Sequence, residues 1–130
     1  MVKKKKYLLD THIVLWIAAE HSKISPRAKQ ILCEDGLKYV SIASAWEIAI
    51  KISKGNFDLI GGLTEFYKII DYNEFKILPV KREYLSNIAD MPFIHKDPFD
   101  RLIVATSIVE EMPIITVDEN IHKYDVDWIW

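Results

Sequence analysis

Short β-rich runs alternate with longer runs of helical period along this chain, and Gly and Pro, at 4 and 5 residues, are too scarce to break the series with a linker. The alternation predicts an α/β/α sandwich around a mainly parallel sheet, because parallel neighbours must be joined by crossover helices. The first strand is expected at 7–9, with Ile13, Trp16 and Ile17 following at helical spacing. Ser25 and Pro26 open a second helix as cap and first residue. Residues 39–42 read as the second strand, 45–54 as a helix stopped by Gly55, 62–72 as another helix and 75–80 as a strand or extended segment. A helix at 81–90, a loop at 92–96 and a long helix at 98–111 come next, the last with Phe99, Leu102, Ile103, Thr106 and Val109 on one stripe. Residues 114–117 form a buried strand, 119–124 a short helix and 126–130 an edge strand.

With half of 130 residues apolar, there is chain for one domain with a core and too little for two. Residues 1–6 read as a basic tail on that single domain, 1–130. Lys and Arg number 17 against 19 Asp and Glu, but Lys3, Lys4, Lys5 and Lys6 supply four of the cations; the body without them stands at −6. Such a body lacks the positive field that holds nucleic acid by counterion release, so a polyanionic substrate requires help, most simply from a metal ion. The lone Cys33 forms no internal disulfide, which fits a reducing compartment and a cytoplasmic location. Charged residues interrupt every apolar run well short of a membrane span, and Asp10 and His12 end the apolar stretch after the lysines too early for a signal peptide.

Four acids share one structural address. Asp10 follows the first strand, Glu47 lies in the first turn after the second, Asp100 is in the first turn of the long helix, and Asp118 follows the strand at 114–117. In a parallel sheet those places line one edge, where ligands bind. Each acid also has a plain explanation: Asp10, Asp97 and Asp118 stand where N-caps belong, Ser44-Ala45-Trp46-Glu47 matches a capping box, and Asp100 suits the helix dipole. Their joint placement is a different matter, because two carboxylates roughly 6 Å apart at an effective dielectric of about 20 repel by about 3 kcal/mol. Such a cluster is protonated in part or holds a cation, and all-oxygen ligands select Mg²⁺ or Mn²⁺. His12, His21, His95 and His122 have no zinc-ligand spacing, and neither a nucleophile elbow nor a Gly-rich phosphate loop occurs.

Residues 8–12 (LLDTH), 43–51 (ASAWEIAIK), 95–105 (HKDPFDRLIVA) and 116–118 (TVD) together resemble the PIN domain, and more narrowly the VapC-type toxins of toxin-antitoxin pairs. The resemblance runs from Tyr7 to about Asp127, and the HKDPFDR block is its most specific part. It implies a Mg²⁺- or Mn²⁺-dependent endoribonuclease whose acidic quartet is Asp10, Glu47, Asp100 and Asp118. Asp10, Asp100 and Asp118 are the implied metal ligands, Glu47 a ligand through water or the group orienting the nucleophile, and Thr11 and Thr116 the hydroxyl donors behind them. It further implies an RNA substrate of the tRNA or rRNA class, a cognate antitoxin and a homodimer.

Lys51, Lys54, Lys81, Arg82 and Arg101 are candidate phosphate contacts, with Arg101 equally able to pair with a site carboxylate. Phe57, Phe66 and Tyr67, near Gly61-Gly62, are candidate antitoxin contacts, with core packing the expected role of at least two of them. Two other classes stay open. A non-catalytic RNA- or protein-binding module of the same fold would use its acids only as caps; a phosphatase forming an aspartyl-phosphate at Asp10 would want an acid where His12 stands.

Overall fold

A computed structural model describes residues 4–130, so Lys3 of the basic run lies outside the described residues. Lys6, counted above with the tail, is the first residue of strand β1 (Lys6–Leu9). The chain continues through α1 (Thr11–Ala19), α2 (Pro26–Cys33), β2 (Leu37–Ser41), α3 (Ile42–Ser53), α4 (Gly62–Tyr72), β3 (Lys76–Leu78), α5 (Arg82–Asp90), α6 (Pro98–Glu110), β4 (Ile114–Ile115), α7 (Glu119–His122) and β5 (Trp128–Ile129). The five strands stand in the order β3-β2-β1-β4-β5 and every pairing is parallel.

Strand periodicity sorts the core into two faces. Tyr7 and Leu9 of β1, with Ile115 of β4, pack under α1 to α4 among Ile13, Val14, Ala28, Ile48, Phe66 and Ile70. Leu8 and Ile114, one residue out of phase, face the other way onto Ile103, Val104 and Ile121 of α6 and α7. Helices therefore cover both sides of the sheet. Each fully buried Leu or Ile contributes about 1.5–3 kcal/mol, so a one-residue slip of β1 is prohibitive. Its register is pinned from both sides, Leu9 standing beside Val40 of β2 and Ile115 of β4. The C-terminal ends of β1, β2 and β4 are thus level, and the residues after them share one edge.

Several boundaries depart from the sequence reading. α3 begins at Ile42, three residues early, because Ser41 caps it by accepting from the Ala43 amide at 3.1 Å. The Ser44–Glu47 capping box consequently does not form; both residues lie inside the helix and both are buried. The segment expected as a strand to Val117 leaves the ladder after Ile115, although the Thr116 amide still donates to the Ile129 carbonyl at 3.2 Å. Phe66 is fully buried and Phe57 packs against the same core, which leaves only Tyr67 of those three at the surface.

Candidate metal centre

Asp10 is the first residue past β1, and its extended backbone turns the chain into α1. Its carboxylate is held at both oxygens: Oδ1 accepts from the Thr11 amide at 2.7 Å and Oδ2 from the Thr116 hydroxyl at 2.8 Å. Thr116, fully buried past β4, uses the same oxygen to accept from the Asp118 amide at 3.0 Å. One threonine hydroxyl therefore ties the acid after β1 to the acid after β4. Asp118 in turn caps α7, accepting from the Asn120 amide at 2.8 Å. Behind Thr116, His122 Nε2 donates to its carbonyl at 2.9 Å while the imidazole stacks on Trp128 at 3.6 Å between centroids.

Glu47 reaches the edge from the second turn of α3 and is buried there. The Thr11 hydroxyl lies 3.0 Å from Glu47 Oε1 and 2.8 Å from Ser44 Oγ. With one proton to give, it donates to the carboxylate and accepts from Ser44, since an ionised carboxylate only accepts. The other Glu47 oxygen lies 3.4 Å from Lys51 Nζ. Asp100 comes from the first turn of α6, which Asp97 caps by accepting from the amides of Phe99 at 2.8 Å and Asp100 at 3.3 Å. Asp100 Oδ2 meets His95 Nε2 at 2.8 Å.

These carboxylates feel one another. Burial, followed by the charges of Asp10, Asp97, Asp118 and Glu47, pushes the Asp100 carboxyl up to about 8. Asp10 is also raised, chiefly by burial, against the opposing effect of its bonds to Thr116 and Thr11 and the nearby His12. A cation among these groups would remove the repulsion, and their donor set of hard carboxylate oxygens suits Mg²⁺ or Mn²⁺. Among the described residues, the triad whose potential ligand atoms lie within 4.8 Å of one another is His95, Asp97 and Asp100. Asp97 accepts from its two amides through Oδ1 alone, and this triad shares Asp100 with the quartet.

The basic candidates divide. Lys51 stands at the site through Glu47, whereas Lys81 pairs with Glu110 at 3.0 Å, ten residues or about 15 Å of helix from Asp100. The Arg101 guanidinium packs over the Phe93 ring at 4.8 Å; its buried Nε has no partner, and no carboxylate pairs with it among the described residues. Trp46 is exposed beside Glu47 and meets Phe99 edge-on at 5.1 Å. His95 and His122 were not legible as site residues. The one available signal was the place of His95, five residues before Asp100 in HKDPFD.

Fold and site define an α/β domain with carboxylates gathered at the C-terminal edge of a parallel sheet. The PIN domain family profile matches residues 7–127, and the chain belongs to the PIN domain family. Among solved structures, it is similar to a chain of VapBC2 from Rickettsia felis bound to a DNA fragment from their promoter, with a TM-score of 0.70 and 13% identity over 95% of this chain and 97% of that one. A chain of VapBC-1 from nontypeable Haemophilus influenzae gives 0.70 and 14% over 95% and 96%. A chain of FitAcB from Neisseria gonorrhoeae gives 0.62 and 17% over the same shares, 95% and 96%. No curated protein matches the chain by sequence.

Proposed function

We propose that this protein is a Mg²⁺- or Mn²⁺-dependent endoribonuclease and the toxin of a toxin-antitoxin pair. The observation that carries the reading is the crowding of buried Asp10, Asp100 and Glu47 with half-buried Asp118 at one sheet edge, where burial and the charges of Asp10, Asp97, Asp118 and Glu47 push Asp100 up to about 8. Acids serving only as caps have no reason to crowd to that degree, and Glu47 and Asp100 are not caps at all. Asp10, Asp100 and Asp118 would hold the cation. When bound, it would activate water and neutralise charge on the phosphate during in-line attack. Glu47, fixed by Thr11 and Lys51, orients the attacking water and accepts its proton. The Thr116 hydroxyl ties the Asp10 carboxylate to the Asp118 backbone amide. The products are a 5′-phosphate and a 3′-hydroxyl, because the nucleophile is water and not the RNA 2′-hydroxyl.

The partner reading draws support from the toxin-antitoxin structures among those similar to this chain. A groove between α1 and α4, lined by Ile17, Ala18, Ile69 and Tyr72 and edged by polar groups including Glu65 and Lys68, would take the apolar face of an antitoxin helix, and an antitoxin Arg among the carboxylates would stand in for the cation. We propose a homodimer and a cytoplasmic setting as part of the same reading.

The test is cleavage of end-labelled total tRNA and rRNA fragments with Mn²⁺ or Mg²⁺ against EDTA, beside Asp100→Asn. Metal-dependent cuts that the variant loses support the nuclease. Cuts ending in a 2′,3′-cyclic phosphate, or cutting that survives in EDTA, refute it; Mn²⁺ failing to bind favours the non-catalytic module.

A further inference from the structure

The segment between α5 and α6 has no regular structure, yet it is tied down at several points. The His95 amide donates to the Tyr124 hydroxyl at 3.0 Å, and Tyr124 is itself buried in the core under α6 and α7. Two residues on, Asp97 caps α6. Two residues before, Phe93 lies against the Arg101 guanidinium. Between these anchors the His95 side chain lies over the first turn of α6, where Nε2 meets Asp100 Oδ2 at 2.8 Å. Both side chains are largely sequestered, 22% and 12% exposed. A surface histidine in a loop would be expected to spend its ring in solvent.

Building on the metal-dependent reading above, we propose that His95 is a positioning residue for the cation: it holds Oδ2 of Asp100 so that Oδ1 is presented to the metal, and Tyr124 holds His95. A carboxylate free to rotate about its last bond offers its oxygens in many directions, and ordering it falls on the binding equilibrium. A hydrogen bond between Nε2 and one oxygen removes that cost in advance. Partners of this kind behind a metal ligand typically change metal affinity by about 10- to 100-fold. His95 is not assigned as a ligand, because the nitrogen nearest the acids is the one already engaged with Asp100.

The experiment is calorimetric titration of the full chain with Mn²⁺ alone, for wild type, His95→Ala, His95→Gln, Tyr124→Phe and Asp100→Asn, with urea unfolding of each in EDTA. Gln carries an amide N–H that reaches close to where Nε2 stands. We expect His95→Ala to weaken Mn²⁺ binding about 10- to 100-fold with its EDTA unfolding midpoint preserved, His95→Gln to restore most of the loss, and Tyr124→Phe to fall between. Excess Mn²⁺ should return turnover of His95→Ala. Unchanged affinity in His95→Ala, with Asp100→Asn unable to bind, overturns the role of His95 and spares the nuclease reading. Nitrogen-14 coupling to Mn²⁺ in the pulsed electron-spin spectrum of the wild type also overturns it, by making the imidazole a ligand. Failure of the wild type to bind Mn²⁺ removes both.

Discussion

Asp100→Asn should stabilise the metal-free protein, and by an amount that grows with pH. In the folded chain the Asp100 carboxyl is raised from its usual 3.8 to about 8 by burial and by the charges of Asp10, Asp97, Asp118 and Glu47. Between those two values the folded state keeps a proton that the unfolded state has released. Stability therefore falls as pH rises through that window, by up to about 1.36 kcal/mol per pH unit, and the loss is complete only above about pH 8. From about pH 5 to about pH 7 the full effect would be about 2.7 kcal/mol, and screening at the solvent-facing side of the site reduces it to about 1–2 kcal/mol. Asparagine has no such proton to lose. The assay is urea unfolding followed by tryptophan fluorescence in EDTA at several pH values. The variant's advantage should be small near pH 5 and should widen toward pH 8, since most other ionisations run in both proteins and cancel. Saturating Mn²⁺ should reverse the order, adding about 2.7 kcal/mol to the wild type at one hundred times its Kd and little to the variant. Parallel pH profiles, within about 0.5 kcal/mol of each other, would refute the claim that these carboxylates share one low-dielectric site.

Three further outcomes follow from the same geometry. Thr116→Val leaves the Asp118 amide without its acceptor and Asp10 Oδ2 without its donor, so it should cost about 1–3 kcal/mol in urea unfolding and weaken Mn²⁺ binding by calorimetry. Glu47→Gln keeps an oxygen that accepts from Thr11 but sets its amide nitrogen against Lys51, so it should cost no more than about 1–3 kcal/mol in urea unfolding while turnover of labelled RNA falls about 10²- to 10⁴-fold. Gly61→Ala, at φ +88 with Glu65 Cβ 3.1 Å from the position of the added carbon, should lower stability by about 1 kcal/mol or more in thermal unfolding and leave Mn²⁺ affinity unchanged.

Much of this architecture was legible because it rests on local signals. The apolar runs of the strands, Ser25-Pro26 before α2 and Asp97-Pro98 before α6 each declare an element through residues adjacent in the chain. The start of α3 was not legible, because Ser41 and Ser44 are both chemically able to cap and only the β2 ladder, running to Ser41, decides between them. For the same reason Glu47 read as half of a capping box. Tertiary packing instead turns it toward Thr11, a residue 36 positions away.

The identity of the four acids, and their places just past strands or within first helical turns, belong to the sequence alone. Side-chain chemistry and local periodicity suffice for that. What the tertiary structure decided is which groups touch: the Thr116 bridge to Asp10 across 106 residues, the Thr11 bond to Glu47, and the Tyr124 anchor that sets His95 over Asp100. Those contacts depend on the order β3-β2-β1-β4-β5, which brings the ends of β1 and β4 side by side. The physical reason is one of range. Helical period and capping act over a few residues, whereas the crowding that raises Asp100 is a Coulomb and desolvation effect that exists only once distant segments share one buried edge.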